Sequence, residues 1–181
     1  MDYVRLGRAG VKVSRLCLGT AFRGYWHGTN DEATAIRTVE AAIDHGINFI
    51  DSANYYYQGR CEELLGKAIQ NKREDLVITT KVWSQVGSGP NDRGLSRFHI
   101  MREIERSLQR LKTDYVDIYL MHHWDSETEL DESLKALDDL VRQGKVRYVG
   151  ACNWTAAQVV EALWTADRNG LDPLYVLQNQ Y

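Results

Sequence analysis

LVITTK, residues 76–81, is an apolar run that ends in a lysine. It does not alternate apolar with polar, as a strand with one wet face must. It reads instead as a strand buried on both faces, the kind found inside parallel sheets. The lysine at its end is then a puzzle, because burying an ammonium without a partner is strongly unfavourable.

Five further runs share this character: SRLCLG (14–19), INFID (47–51), VDIYLMH (116–122), VRYVGA (146–151) and LYVLQ (174–178). Amphipathic segments lie between them. Ile36, Val39, Ala42 and Ile43 form one apolar stripe. Ile100, Ile104, Leu108 and Leu111 form a second, and Leu130, Leu134, Leu137 and Val141 a third. Thr29 with Glu32, Ser126 with Glu129 and Thr155 with Gln158 have the spacing of capping boxes. Gly46, Gly144 and Gly170 each stand where a left-handed residue would close a helix before the next strand. The pattern is strand, helix, strand, helix, with six strands and no linker between them. Ahead of it, YVRLGRAGVKVS has the form of a hairpin turning at Arg8–Gly10.

Two architectures accept such repeats, an open doubly wound sheet and a closed (β/α)8 TIM barrel. The first strand-to-helix turn, LGTAFRGYWHG, lacks the GxGxxG of a dinucleotide-binding open sheet. Asp51, Lys81, His122, Asn153 and Gln178 each follow an apolar strand or its last turn. Polar groups from several strands meeting at one rim are how a barrel builds a site. Singly, each has a plainer role as a cap, turn former or exposed end. Together they favour an α/β barrel with its chemistry at the carboxyl-terminal rim, in one domain spanning residues 1–181.

Composition narrows the function. The 181 residues are 44% hydrophobic and 26% charged, with a formal net charge of −3, so nothing points to nucleic acid as a partner. No apolar run approaches the roughly 20 residues of a membrane span. Cys17, Cys61 and Cys152 are few and scattered, as expected of reduced thiols in a cytoplasmic protein, with no metal-ligand spacing.

FIDSANYYYQG, residues 49–59, sets three tyrosines behind an aspartate. The longer stretch DSANYYYQGRCEELLGKAI, residues 51–69, resembles the aldo-keto reductase signature. ITTKV is similar to that family's lysine strand, DYVDIYLMHHWD to its histidine strand, and VGACNW to its Ser-Asn-Phe/Trp turn. The likeness runs from LGRAGVKVSRLCLGTA to the end of the chain. It implies a catalytic tetrad of Asp51, Tyr56, Lys81 and His122, with Tyr56 rather than Tyr55 or Tyr57 as proton donor. It also implies Gly19, Thr20, Asp51, Asn153 and Gln178 around the nicotinamide of NADP(H), with an aldehyde or ketone as substrate.

Lys81 beside the phenol is expected to lower its pKa from about 10. The Tyr56 hydroxyl is expected within reach of both Lys81 and His122, with Asp51 on Lys81. Trp26, Trp83 and Trp124 are candidates for the substrate wall, though loop packing suits Trp83 and Trp124 as well. His123 should point away from His122 if strand alternation persists. Cys152 departs from the family's usual serine.

The resemblance leads to the further expectation of a barrel truncated at its carboxyl-terminal side, holding about six of eight units and binding NADPH weakly. RGLSRFHI (93–100) and LGRAGVKVS resemble the branch containing potassium-channel β subunits and their bacterial relatives. A nucleotide-sensing regulatory subunit is therefore the alternative to a reductase, and a non-enzymatic scaffold the third reading. The sequence leaves the oligomeric state open.

Overall fold

The computed structural model of the protein describes residues 1–21 and 31–180. Trp26 and Thr29 lie outside them. The hairpin comes first: β1 (Tyr3–Arg5) pairs antiparallel with β2 (Lys12–Ser14), Val4 opposite Val13. The main sheet comes next, made of β3 (Leu18–Gly19), β4 (Phe49–Asp51), β5 (Val77–Val82), β6 (Val116–Met121), β7 (Val146–Cys152) and β8 (Val176–Gln178). All neighbours pair in parallel, and their order in space is their order in the chain. A doubly wound sheet would reverse that order at its switch point. Six consecutive parallel strands of a (β/α)8 barrel are therefore in place among the described residues.

Between the strands lie α1 (Glu32–Asp44), α2 (Arg60–Ala68), α3 (Arg97–Leu111), α4 (Leu130–Arg142) and α5 (Ala156–Asn169). The stripe on α3 is buried at all four positions, and Val39, Leu134 and Leu137 anchor those on α1 and α4. Gly46, Gly144 and Gly170 have φ of 87°, 74° and 64°, the left-handed turns expected after α1, α4 and α5.

The caps agree less well. Thr155 and Gln158 form the full capping box on α5. Asp31 caps α1, accepting from Thr34 N at 2.6 Å. Ser126 caps nothing: α4 begins after Glu129, which makes no side-chain cap bond. Asp125 has taken over that turn, accepting from Glu127 N and from the Thr128 hydroxyl, and the helix starts only beyond it. Asp131 and Glu132 in the first turn of α4 complement its positive end instead.

The pleat of the strands places the site. Along β4 to β8, Phe49, Val77, Ile118, Leu120, Tyr148 and Val176 face one side and pack with Leu6, Val11 and Val13 of the hairpin. The hairpin thus fills the amino-terminal end of the sheet's inner face. Ile50, Ile78, Val82, Tyr119, Met121, Val149 and Ala151 face the helices. Each such Ile or Leu, fully buried, contributes about 1.5–3 kcal/mol of transfer free energy. Gly150 on the inner face has no room for a side chain, since a Cβ would sit 2.2 Å from the Val176 carbonyl oxygen and 2.8 Å from Leu120 Cδ2. With a period of two, the inner face continues to Asp51, Lys81, Cys152 and Gln178 at the strand ends.

Candidate active site

Lys81 resolves the puzzle of its burial by using all three donors. It is fully buried, and its Nζ donates to Asp51 Oδ2 at 2.6 Å, to the Ser52 carbonyl at 2.7 Å and to the Tyr56 hydroxyl at 3.3 Å. Burial pushes the ammonium down, but Asp51 and then Tyr56 more than offset this, and Lys81 is held above its ordinary value. Asp51 is fixed in turn. Its Oδ1 accepts from Gln178 Nε2 at 3.2 Å, and its carbonyl accepts from Thr20 N at 2.9 Å and the Thr20 hydroxyl at 3.0 Å.

Tyr56 reaches this pair from a turn rather than a strand. Ser52 N and Asn54 N extend the pairing with β5, donating to Thr79 O and Lys81 O. The chain then coils into a 3-10 turn, Tyr56–Gly59, in which Tyr57, Gln58 and Gly59 have φ of 47°, 56° and 87°. Two non-glycine residues in that region cost about 1–3 kcal/mol each, and the turn swings the chain from Tyr56 directly into α2. Contrary to the expectation, the Tyr56 phenol lies above 10. Burial raises it most, Lys81 draws it down, and Asp51 behind the lysine adds to the rise. At neutral pH the hydroxyl keeps its proton.

His122 follows β6, its backbone N–H donating to Val82 O at 2.8 Å. Its ring stands edge-on to Tyr56, with centroids 5.8 Å apart. The Tyr56 oxygen accepts from Lys81, and no hydrogen bond joins its hydroxyl to His122, so the expected direct reach between the two is not made. Burial, then the charges of Lys81 and His123, lowers the imidazole to about 3, so it is neutral at pH 7. Its Nδ1 is buried and has no hydrogen-bond partner among the described residues. His123 does not point away: β6 ends at Met121, alternation lapses, and the two rings stack at 5.3 Å.

Both histidines, Tyr55 and Tyr56 border one cleft of about 480 Å³, closed on its far side by Trp83, Ser84, Gln85 and Arg93. Trp83 stands in that wall at a φ of 141°. Trp124 does not; its ring packs edge-on against Trp154 at 4.8 Å, because the bend after His123 turns it toward α5 and the core. Ser84, Gln85, Arg93 and His123 were not expected there from the sequence. Of these only Arg93 carried a signal, a cation in the long segment between the lysine strand and the next helix.

The residues expected around a nicotinamide meet beside Asp51. A Cβ on Gly19 would touch nothing within 4 Å among the described residues, which leave open space over the end of β3. Asn153, exposed and left-handed at a φ of 58°, donates through Nδ2 to His122 O at 3.1 Å, and its N–H to Gln178 O at 3.1 Å. Gln178 is exposed and turns its amide onto Asp51. Two carboxamides beside an unfilled strand end suit a flat ring bearing a carboxamide of its own, and they are the groups that would hold it. Thr20 is fully buried and supports Asp51 from behind. Cys152 donates to Gln178 Oε1 at 3.2 Å, its thiol pushed up to about 12 chiefly by burial, so it orients the glutamine as a neutral group.

The aldo/keto reductase family model matches residues 15–181. The chain belongs to the aldo/keto reductase family. It is 41% identical over 192 residues to the uncharacterized oxidoreductase YrpG of Bacillus subtilis, covering 100% of this chain and 58% of that one. It is 40% identical to a probable voltage-gated potassium channel subunit beta of Arabidopsis thaliana, covering 100% of this chain and 55% of the relative. The crystal structure of the thermostable aldo-keto reductase Tm1743 with the inhibitor epalrestat superposes with a TM-score of 0.84 at 35% identity, covering 100% of this chain and 63% of that one. The chain thus spans a little over half the length of the curated relatives it matches. The aldo/keto reductase fold accounts for the consecutive strand order, and within it the four residues of the expected tetrad lie at the ends of β4, β5 and β6 and in the turn after β4.

Proposed function

We propose that the protein reduces aldehydes or ketones to alcohols with NADPH, reversibly, and that Tyr56 is the proton donor. The observation that carries this reading is a protonated phenol hydrogen-bonded to a fully buried lysine–aspartate pair, at a cleft shared with a neutral histidine. Bound NADPH supplies the hydride. As the carbonyl oxygen gains charge, Tyr56 gives it the hydroxyl proton, and the phenolate left behind is stabilised by Lys81. Asp51 keeps that lysine charged and aimed. His122, neutral, donates one ring N–H to the same oxygen and so orients it, adding no positive charge of its own. Asn153 and Gln178 would hold the nicotinamide end of the cofactor beside Gly19, and Tyr56 recovers its proton from water through the open cleft.

A second reading has a specific observation behind it, the 40% identity to a probable channel β subunit. There the same site would sense a nucleotide rather than turn over substrate. One labelling experiment separates the two. With NADPH deuterated at the transferable position and a simple aldehyde, the reductase reading requires deuterium on the alcohol carbon. Stoichiometric NADPH binding without any label in the alcohol would instead leave the sensing reading standing.

A further inference from the structure

The wall of the cleft opposite Tyr56 is a pile of flat groups. The Arg93 guanidinium lies 4.4 Å above the Trp83 ring, Trp83 lies 4.7 Å from His123, and His123 stacks on His122 at 5.3 Å. A chain of ring contacts, tilted by 54° between Trp83 and His123 and near-parallel only between the two histidines, therefore links an exposed cation to the histidine beside the Tyr56 ring. Its rear is pinned. Gly94 N donates to Trp83 O at 2.8 Å, Leu95 N to Asp125 Oδ2 at 2.7 Å, and Val86 N to Asp92 O at 3.0 Å. The neighbouring carboxylate is committed elsewhere: Asp92 accepts from Gly89 N at 2.8 Å and from Arg102 at 2.6 Å. Arg93 has no carboxylate partner among the described residues, and no acidic side chain lines the cleft. The guanidinium lies against the Trp83 ring, and its donor edge has no partner among the described residues.

We propose that Arg93 reads the substrate, selecting carbonyl compounds that also carry a carboxylate. This rests on the reductase reading above and names the substrate class of the same cleft. A guanidinium presents paired donors to a carboxylate. Stacking on Trp83 fixes the plane of those donors in advance, so little side-chain freedom is lost on binding. Arg93, His122 and Tyr56 border the same cleft, so a carboxylate on Arg93 leaves the rest of the substrate in the space that His122 and Tyr56 also face.

The test compares benzaldehyde with para-carboxybenzaldehyde in wild type, Arg93→Gln and Arg93→Lys, read as the ratio of kcat/KM for the two. For a charge-assisted contact at a solvent-facing guanidinium, wild type is expected to favour the carboxylate about ten- to thirtyfold. That preference should shrink with added salt. Arg93→Gln should bring the ratio near one. Arg93→Lys, which keeps the charge but loses the flat stack, should fall between. An unchanged ratio in Arg93→Gln, or no preference in wild type, overturns the proposal. If neither aldehyde is reduced by wild type, the reductase reading fails and Arg93 is judged by binding alone. Calorimetric titration with benzyl alcohol and para-carboxybenzyl alcohol must then show a carboxylate preference that Arg93→Gln abolishes; equal affinities overturn the assignment.

Discussion

β5 meets a buried charge on each of its faces, and the two clusters are built differently. On the inner face, Lys81 joins Asp51 and Tyr56. On the outer face, Thr80 donates to Glu62, whose other oxygen accepts from Arg110 at 2.7 Å. Glu103 lies alongside, one oxygen on Arg106 at 2.8 Å and the other on Asn54 at 3.0 Å. In the outer cluster every carboxylate oxygen has a donor. The inner cluster leaves its phenol on a long bond and the nearby His122 Nδ1 with no partner among the described residues, both beside a cleft. Carboxylates spent on fixed donors in this way hold structure, whereas a protonated phenol and an imidazole nitrogen with spare capacity at one cleft suit chemistry. The segment carrying Tyr56 is gripped by both, through Ser52 on Lys81 and Asn54 on Glu103.

Breaking the inner pair should give the largest change. Lys81→Met leaves Asp51 charged and without its cation, and denaturant unfolding should show a loss of about 3–5 kcal/mol together with loss of carbonyl reduction. The outer cluster should separate the two readouts. Glu62→Gln removes the charge partner of Arg110 but keeps an oxygen for Thr80, so unfolding should show a loss of about 1–3 kcal/mol. Activity per folded molecule should stay close to wild type, because Glu62 faces away from the cleft.

Tyr119 refines the comparison with the opposite sign. Its hydroxyl, on the outer face of β6, is fully buried and has no hydrogen-bond partner among the described residues. Tyr119→Phe removes an unmet desolvation cost and should be neutral or stabilising by about 1 kcal/mol. The last difference is invisible near neutrality. His122 is held at about 3 when folded, against an ordinary 6.5. The unfolded chain therefore takes up a proton at this residue in acid while the folded one does not. Stability from this source is complete above pH 6.5 and is lost progressively as pH falls toward 3. Unfolding free energies measured across that window should fall less steeply in His122→Asn than in wild type.

The barrel order was legible because LVITTK and its companions are continuous apolar runs, and only strands covered on both faces tolerate that. The helix ends were legible where a glycine made the turn, as at Gly46, Gly144 and Gly170. They were misread at α4, where Asp125 offers two acceptor oxygens and outcompetes Ser126 for the turn, a contest that spacing alone does not reveal. Asp51, Lys81 and the inward set were fixed by strand period. Tyr56 was identified only through resemblance, because three adjacent tyrosines leading into a left-handed turn at Tyr57–Gly59 obey no period. The same lapse of period after Met121 reversed the expectation for His123. The direction of the phenol's shift was missed for a physical reason: Lys81 is neutralised by Asp51, so burial prevails over its pull. Arg93 entered the cleft through the folding of a loop, which composition does not encode.

The reductase account stands on the choice among the three tyrosines. Tyr55 lines the same cleft and its ring lies 6.2 Å from His122, so it is the real competitor. The direct measurement is kcat for aldehyde reduction in Tyr56→Phe and Tyr55→Phe, alongside NADPH affinity from fluorescence titration. Loss of a positioned proton donor should lower kcat in Tyr56→Phe about 10²- to 10⁴-fold, with NADPH affinity nearly unchanged and Tyr55→Phe far less affected. A Tyr56→Phe protein that still turned over, with Tyr55→Phe the damaged one, would contradict the account.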